Sequence, residues 1–202
     1  NGLPGRRPNH AAIVYAQMCR QAFPGLPVVL GGLEAGMRRF AHYDYWEDKL
    51  RPSLLADAKA DILVYGMGEV AVREIARRLR AGVTNLGGIR GTARLLGGRE
   101  TSAVGFGDCI RLASWEELRR EPKLLLGLTK VIEAQQTPHC GKRLVQVHGT
   151  RALLQEPPVL PLDGPDLDAV YELPFMRAPH PGYRGRIPAL AAIQDSIVVS
   201  RG

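Results

Sequence analysis

Twelve consecutive residues, RRFAHYDYWEDK over 38–49, carry more ionisable and aromatic groups than an ordinary surface loop. His42 and Asp44 have the types and spacing of a general base and its orienting carboxylate. Tyr43, Tyr45 and Trp46 offer faces for stacking on a ring, and Arg38 and Arg39 have the forked geometry that grips a carboxylate or phosphate. The same composition suits an interface between domains, where Tyr, Trp and Arg are enriched. Both readings stand on the residues alone.

Two glycine turns are the next candidates. Gly31 and Gly32, with Glu34 close behind, follow the apolar run PVVL; Gly66, Gly68 and Glu69 follow DILVY. Ligands of open α/β sheets bind at the carboxyl ends of strands, where glycine lets the backbone approach and a helix N-terminus offers free N–H groups. Neither turn is a dinucleotide or P-loop fingerprint, and plain structural turns explain both as simply.

The chain offers little to a metal. His139 and Cys140 are adjacent and His148 is distant, whereas a site needs three or four protein ligands. Cys19, Cys109 and Cys140 include no CxxC pair, so neither a disulfide framework nor a zinc site is expected, and a reducing cytoplasm is the simplest setting. The Asp-x-His-x-x-Gly pattern of base-off cobalamin domains is absent, because Asp44 follows His42; His-ligated cobalamin is not expected. His180 lies between prolines and reads as part of a rigid linker.

The elements that must position these residues alternate. Asn9 is a candidate N-cap for a helix over about 10–23, and Val28, Val29 and Leu30 suit a strand buried on both faces. After a mixed segment read as a short helix or turn and then a loop, a helix is expected from near Ser53 and a strand over 61–66. An amphipathic helix over about 69–81 would turn Val72, Ile75, Ala76 and Leu79 inward. A third strand is predicted at about 89–95. Residues 96–113 read as irregular, and Ser114 with Glu117 forms a capping box for a helix over about 115–136, kinked at Pro122. Two short strands follow over 143–149 and 151–155, then a proline-rich stretch, a helix at 166–171 and a strand at 196–200. This order predicts an α/β fold with parallel strands and right-handed crossovers.

The formal net charge is +7, carried by 22 Arg and 5 Lys. Such a surplus fits nucleic acid or an anionic ligand, or arginine spread over solvated faces. No apolar run reaches the roughly 18 residues that span a bilayer, so no membrane partner is expected.

The stretch GGLEAGMRRFAHYDYW, continued by DAKADILVYGMGE, resembles the YgiQ-type radical S-adenosylmethionine proteins. The likeness extends through Gln146-x-His148-Gly149 to DLDAVYELPFMRAPHPGY and IPALAAIQDSIVVSRG. Gly36 departs from it, since the family usually has Ser there, and the Gly-rich stretch 82–107 matches poorly.

The resemblance implies a Rossmann-like, B12-binding-domain-like three-layer fragment over 1–95, whose first strands would lie upstream. It further implies a helix and hairpin extension over 96–156, and a linker over 157–202 ending in the first strand of a radical SAM barrel. In the family a Cys-x-x-x-Cys-x-x-Cys motif follows directly on SRG, so this chain is expected to stop short of the [4Fe–4S] cluster and its S-adenosylmethionine.

The fragment is then expected to hold no cofactor and to be inactive alone, with the rest of its parent chain as partner. Its role would be substrate recognition, through Gly31, Gly32, Glu34, Arg38, Arg39, His42, Tyr43, Asp44, Tyr45, Gly66, Gly68, Glu69 and His148. The alternatives are a basic module for tRNA-like nucleic acid and a purely structural shield.

Overall fold

The computed structural model describes residues 8–103, 106–176 and 178–197. One compact unit spans 9–161; the described residues outside it fall in a second.

The first unit is an α/β structure built on a six-stranded sheet. Helix α1 (Ala11–Ala22) leads to strand β1 (Val29–Leu30) and the short helix α2 (Gly32–Met37). A two-stranded antiparallel hairpin, β2 (His42–Asp44) and β3 (Lys49–Arg51), comes next, followed by α3 (Leu54–Ala58) and β4 (Ile62–Val64). Then come α4 (Glu69–Arg80), β5 (Thr92–Leu96), α5 (Gly98–Ala103) and β6 (Ile110–Arg111). Helices α6 (Trp115–Arg120) and α7 (Leu124–Ala134) precede the hairpin β7 (Leu144–His148) and β8 (Arg151–Gln155). The sheet order is β1-β4-β5-β8-β7-β6.

The β1–β4 pair is parallel, as the alternating pattern predicts, and so is β6–β7. The expectation of parallel strands fails at β5, which runs antiparallel to both β4 and β8, whereas β7 and β8 form the tightly joined antiparallel pair expected of 143–149 and 151–155. The right-handed crossover rule governs only parallel strands, and the connection 81–91 returns the chain reversed. The hairpin of β7 and β8 continues this same sheet.

One sheet face carries Leu63, Ala93, Leu144, Leu153, Gln146 and Gln155. The apolar ones pack with Phe40, Ala41, Leu54, Leu55, Leu118 and Leu128 from the elements above. The other face places Ile62 and Val64 against Ala71 and Ile75 of α4. The three-layer arrangement therefore stands.

Several local expectations change. Residue 10, not Asn9, caps α1: His10 adopts φ 53° and makes no side-chain cap. Val29 is exposed because β1 is an edge strand. Ala71 rather than Val72 faces the core, which turns Val72 and Ala76 outward on α4. The loop expected after α2 is the β2–β3 hairpin, whose turn uses Asp48 at φ 48°. Pro122 separates two helices instead of kinking one. The Ser114–Glu117 capping box forms with both hydrogen bonds in place.

In the second unit, α8 (Gly164–Tyr171) is capped by Asp163, and α9 (Pro188–Ile193) was not expected. Of the strand expected at 196–200, residues 198–200 lie outside the described set.

Candidate functional site

The segment 38–46 is held from beneath. Arg39 is buried; its Nε donates to Gln155 Oε1 at 2.6 Å and its Nη1 to the Gly36 carbonyl. Its guanidinium lies 4.8 Å from the centroid of Tyr65 and 5.5 Å from that of Phe40. Burial lowers its pKa, yet an arginine stays charged under all ordinary conditions. Ala41 N–H donates to Gln146 Oε1 at 2.9 Å, while Gln146 Nε2 donates to the Ala113 carbonyl at 2.9 Å. Ser53 Oγ donates to the Arg39 carbonyl at 2.6 Å and caps α3.

His148 joins this segment, though 105 residues separate it from His42. Its Nε2 lies 3.1 Å from the same Gln146 Oε1 that Ala41 N–H reaches. A backbone N–H can only donate, so the amide oxygen faces both groups and His148 carries its proton on Nε2. Burial holds the imidazole down at about 4. Its ring stacks at 6.5 Å on Trp115.

His42 and Asp44 do not act on each other as base and orienter. His42 Nδ1 donates to the Phe40 carbonyl at 3.1 Å, and burial is the main cause of its lowered pKa. Asp44 Oδ1 accepts from the N–H groups of Trp46 at 3.0 Å and Glu47 at 3.4 Å. It thereby shapes the hairpin turn.

That turn projects Tyr45 and Trp46 into solvent, with ring centroids 4.7 Å apart. Tyr43, also exposed, donates its hydroxyl to Asp48 at 2.5 Å. Arg38 Nη1 sits 3.3 Å from Glu34 and 3.8 Å from Asp44, linking α2 to the turn.

The glycine turns lie at the carboxyl ends of the parallel pair. Gly32 (φ 86°) and Gly66 (φ 68°) use the left-handed region that favours glycine. A Cβ on Gly68 would meet Val64 Cγ1 at 3.3 Å. Gly68 caps α4, which Glu69 begins. Gly31 caps α2 in extended conformation. A Cβ on Gly36 would meet only Tyr65 Cβ, at an ordinary 3.9 Å, so the serine common in the resembled proteins fits here.

Sequence reasoning missed Gln155 and gave Gln146 no role. The signal was available: an uncharged polar residue facing the core side of an otherwise apolar strand must answer a polar group across the packing.

The profile of the family described as Radical SAM N-terminal matches residues 1–196. The chain belongs to this family. It is similar to UPF0313 proteins of Geobacter sulfurreducens (48% identical, over 98% of this chain and 33% of the relative) and Rhodopseudomonas palustris (42%, over 100% and 33%). A UPF0313 protein of Methanosarcina mazei is 37% identical over 100% of this chain and 37% of the relative. The chain thus spans about a third of the length of these relatives. No solved structure matches it.

The radical SAM family implies an iron–sulfur cluster, and the cysteines here do not fit one. Cys19 and Cys140 are exposed, and burial with Asp108 pushes the Cys109 thiol up to about 11, away from the thiolate a cluster needs. Among the described residues no three cysteines converge, and no helix is long and apolar enough to cross a membrane.

Proposed function

We propose that this chain is the accessory, substrate-recognising part of a radical S-adenosylmethionine protein, with the radical chemistry carried by the remainder of the polypeptide. One observation carries the reading. The segment 39–41 is anchored through its backbone by Gln146 and Ser53 and through the Arg39 side chain by Gln155, all buried, while Tyr43, Tyr45 and Trp46 stand exposed a few residues on. Exposed rings on a fixed backing lose little entropy when they stack on a ligand, and this is how a recognition loop is built.

The parallel pair β1–β4, with a glycine turn at each carboxyl end and helices on both sheet faces, supports a Rossmann-like, B12-binding-domain-like origin for this layer. The cluster, the S-adenosylmethionine and the barrel are then expected in the other two thirds of the length seen in the relatives. Three free thiols suit a cytoplasmic setting.

The arginine surplus argues less for nucleic acid. Arg20, Arg38, Arg51, Arg77, Arg78 and Arg143 are engaged in ion pairs.

The test uses the full-length protein. Trp46→Ala should leave uncoupled cleavage of S-adenosylmethionine intact and remove its stimulation by the small-molecule fraction of a cell extract. Equal stimulation of variant and wild type overturns the reading.

A further inference from the structure

His10 opens α1 with φ 53°, a region uncommon for a residue with a Cβ. Its half-buried ring reaches the β2–β3 turn. There Nε2 lies 2.8 Å from Glu47 Oε1, and Nδ1 lies 3.9 Å from Asp44 Oδ2. A carboxylate oxygen can only accept at this distance, so Nε2 carries the proton. In the neutral imidazole this leaves Nδ1 bare and turned toward Asp44.

The Asp44 side chain is fully buried. Oδ1 is fixed by two backbone N–H groups, but Oδ2 accepts no hydrogen bond. A buried carboxylate oxygen in that state is costly. Two lone-pair donors therefore face each other across 3.9 Å. That gap is too long for a hydrogen bond, and it is about half an ångström wider than the roughly 3.4 Å between tetrahedral neighbours held at about 2.1 Å from one ion, so a small closing movement of the half-buried His10 ring lets one ion bridge both. Glu47, on the far ring nitrogen, stands where a carboxylate orients a metal-bound imidazole. The three groups lie within 4.8 Å of one another.

We propose that His10 Nδ1 and Asp44 Oδ2 bind a divalent first-row transition metal in an open, water-rich shell, with two protein ligands in place of the three or four of a closed site and with Glu47 orienting the imidazole. One imidazole nitrogen with carboxylate oxygen suits Mn²⁺, Fe²⁺ or Zn²⁺ better than Mg²⁺ or Ca²⁺. Two cations compete: Arg38, 3.8 Å from Oδ2 with Glu34 as a second partner at 3.3 Å, and Arg51, whose Nη1 lies 3.4 Å from His10 Nε2 and 2.8 Å from Glu47 Oε2. The ion ties the start of α1 to the hairpin turn, so binding stabilises the fold. Sequence spacing hides such a site, because 33 residues separate His10 from Asp44.

The test adds Mn²⁺ to the 202-residue chain, purified without a polyhistidine tag. Free Mn²⁺ is measured by electron paramagnetic resonance and unfolding is followed in parallel. Mn²⁺ is used because exposed Cys140 beside His139 would compete for Zn²⁺. One saturable site is expected, with a rise in the unfolding midpoint. His10→Ala should lose both the site and the rise. Arg38→Met should bind about tenfold more tightly, as a like charge near 4 Å is removed. Neither variant alters a fully buried side chain, so both should fold. No saturable site, equal affinity in His10→Ala, or no gain in Arg38→Met would each overturn the proposal.

Discussion

Arg39 Nε donates to Gln155 Oε1 at 2.6 Å, joining residues 116 apart in the chain. One side chain thus ties the segment after α2 to the sheet, and the ring of Tyr65 covers its guanidinium. Arg39→Lys cannot reproduce the fork or the stacking. It should cost about 2–3 kcal/mol in urea unfolding, and Arg39→Ala somewhat more, because Gln155 and the Gly36 carbonyl lose their donor. A loss under about 0.5 kcal/mol, the range of ordinary surface changes, would sink the claim that Arg39 is a structural tie.

Gln146 answers three groups: Ala41 N–H, the Ala113 carbonyl and His148. Gln146→Leu fills similar space and strands all three. We expect a loss of about 2–4 kcal/mol. A double-mutant cycle with His148→Phe should show coupling of at least about 0.5 kcal/mol; strict additivity would mean the shared amide oxygen does not link them.

His148 gives a pH dependence of definite sign. Its folded value of about 4 lies below the ordinary histidine value of 6.5, chiefly through burial. The neutral form is the one the fold accommodates. Its contribution is fully present above 6.5 and is lost as pH falls toward 4, where the unfolded chain binds the proton first. The loss across that window is roughly 3 kcal/mol. Stability should therefore fall on acidification, and His148→Gln, which keeps a donor for Gln146, should flatten the slope. An identical slope in the variant would refute the assignment.

Ser114 and Glu117 cap α6 reciprocally, with Ser114 N–H donating to Glu117 at 2.7 Å and Glu117 N–H to Ser114 Oγ at 3.2 Å. Ser114→Ala should lower stability by about 1 kcal/mol, and Ser114→Thr, which keeps the hydroxyl, should retain most of it. Because Ser114 Oγ also donates to Glu117 Oε2 at 2.8 Å, Ser114→Asp recovers only the bond from the Glu117 N–H and sets two carboxylates together, so Ser114→Thr is the variant that keeps the cap. Chemical denaturation of the variants side by side decides the point.

Trp46 is 78% exposed. Its removal should leave stability within about 0.5 kcal/mol of wild type, which separates a recognition role from a packing role. A large drop in the unfolding midpoint of Trp46→Ala would mean that the ring is structural.

Elements with a local signal were legible. Ser114 and Glu117 announce a cap, Ile62–Val64 reads as a buried strand, and Gly149 marks the turn between β7 and β8. The hairpin of β2 and β3 was not, because His42–Asp44 and Lys49–Arg51 are too short and too polar to show strand alternation. The direction of β5 was also hidden, since nothing in TARLL says which way the chain returns from α4. At the candidate site the density of rings and charges was visible, but their division of labour was not. Arg38 and Arg39 are neighbours in sequence; one faces the hairpin turn and the other is sealed under it by partners whose positions only the tertiary structure fixes.

The placement of β8 between β5 and β7 has a consequence for biosynthesis. Ala93 finds its partner Gln155, and Ala41 its partner Gln146, only after the intervening chain has been made. During translation the chain up to about residue 100 leaves the ribosome with β5 lacking a neighbour on one side and with Arg39 unanswered. Loop closure over such separations is slow. The nascent chain should therefore stay sensitive to protease until β8 has emerged, then become resistant in one step as the missing strand is inserted.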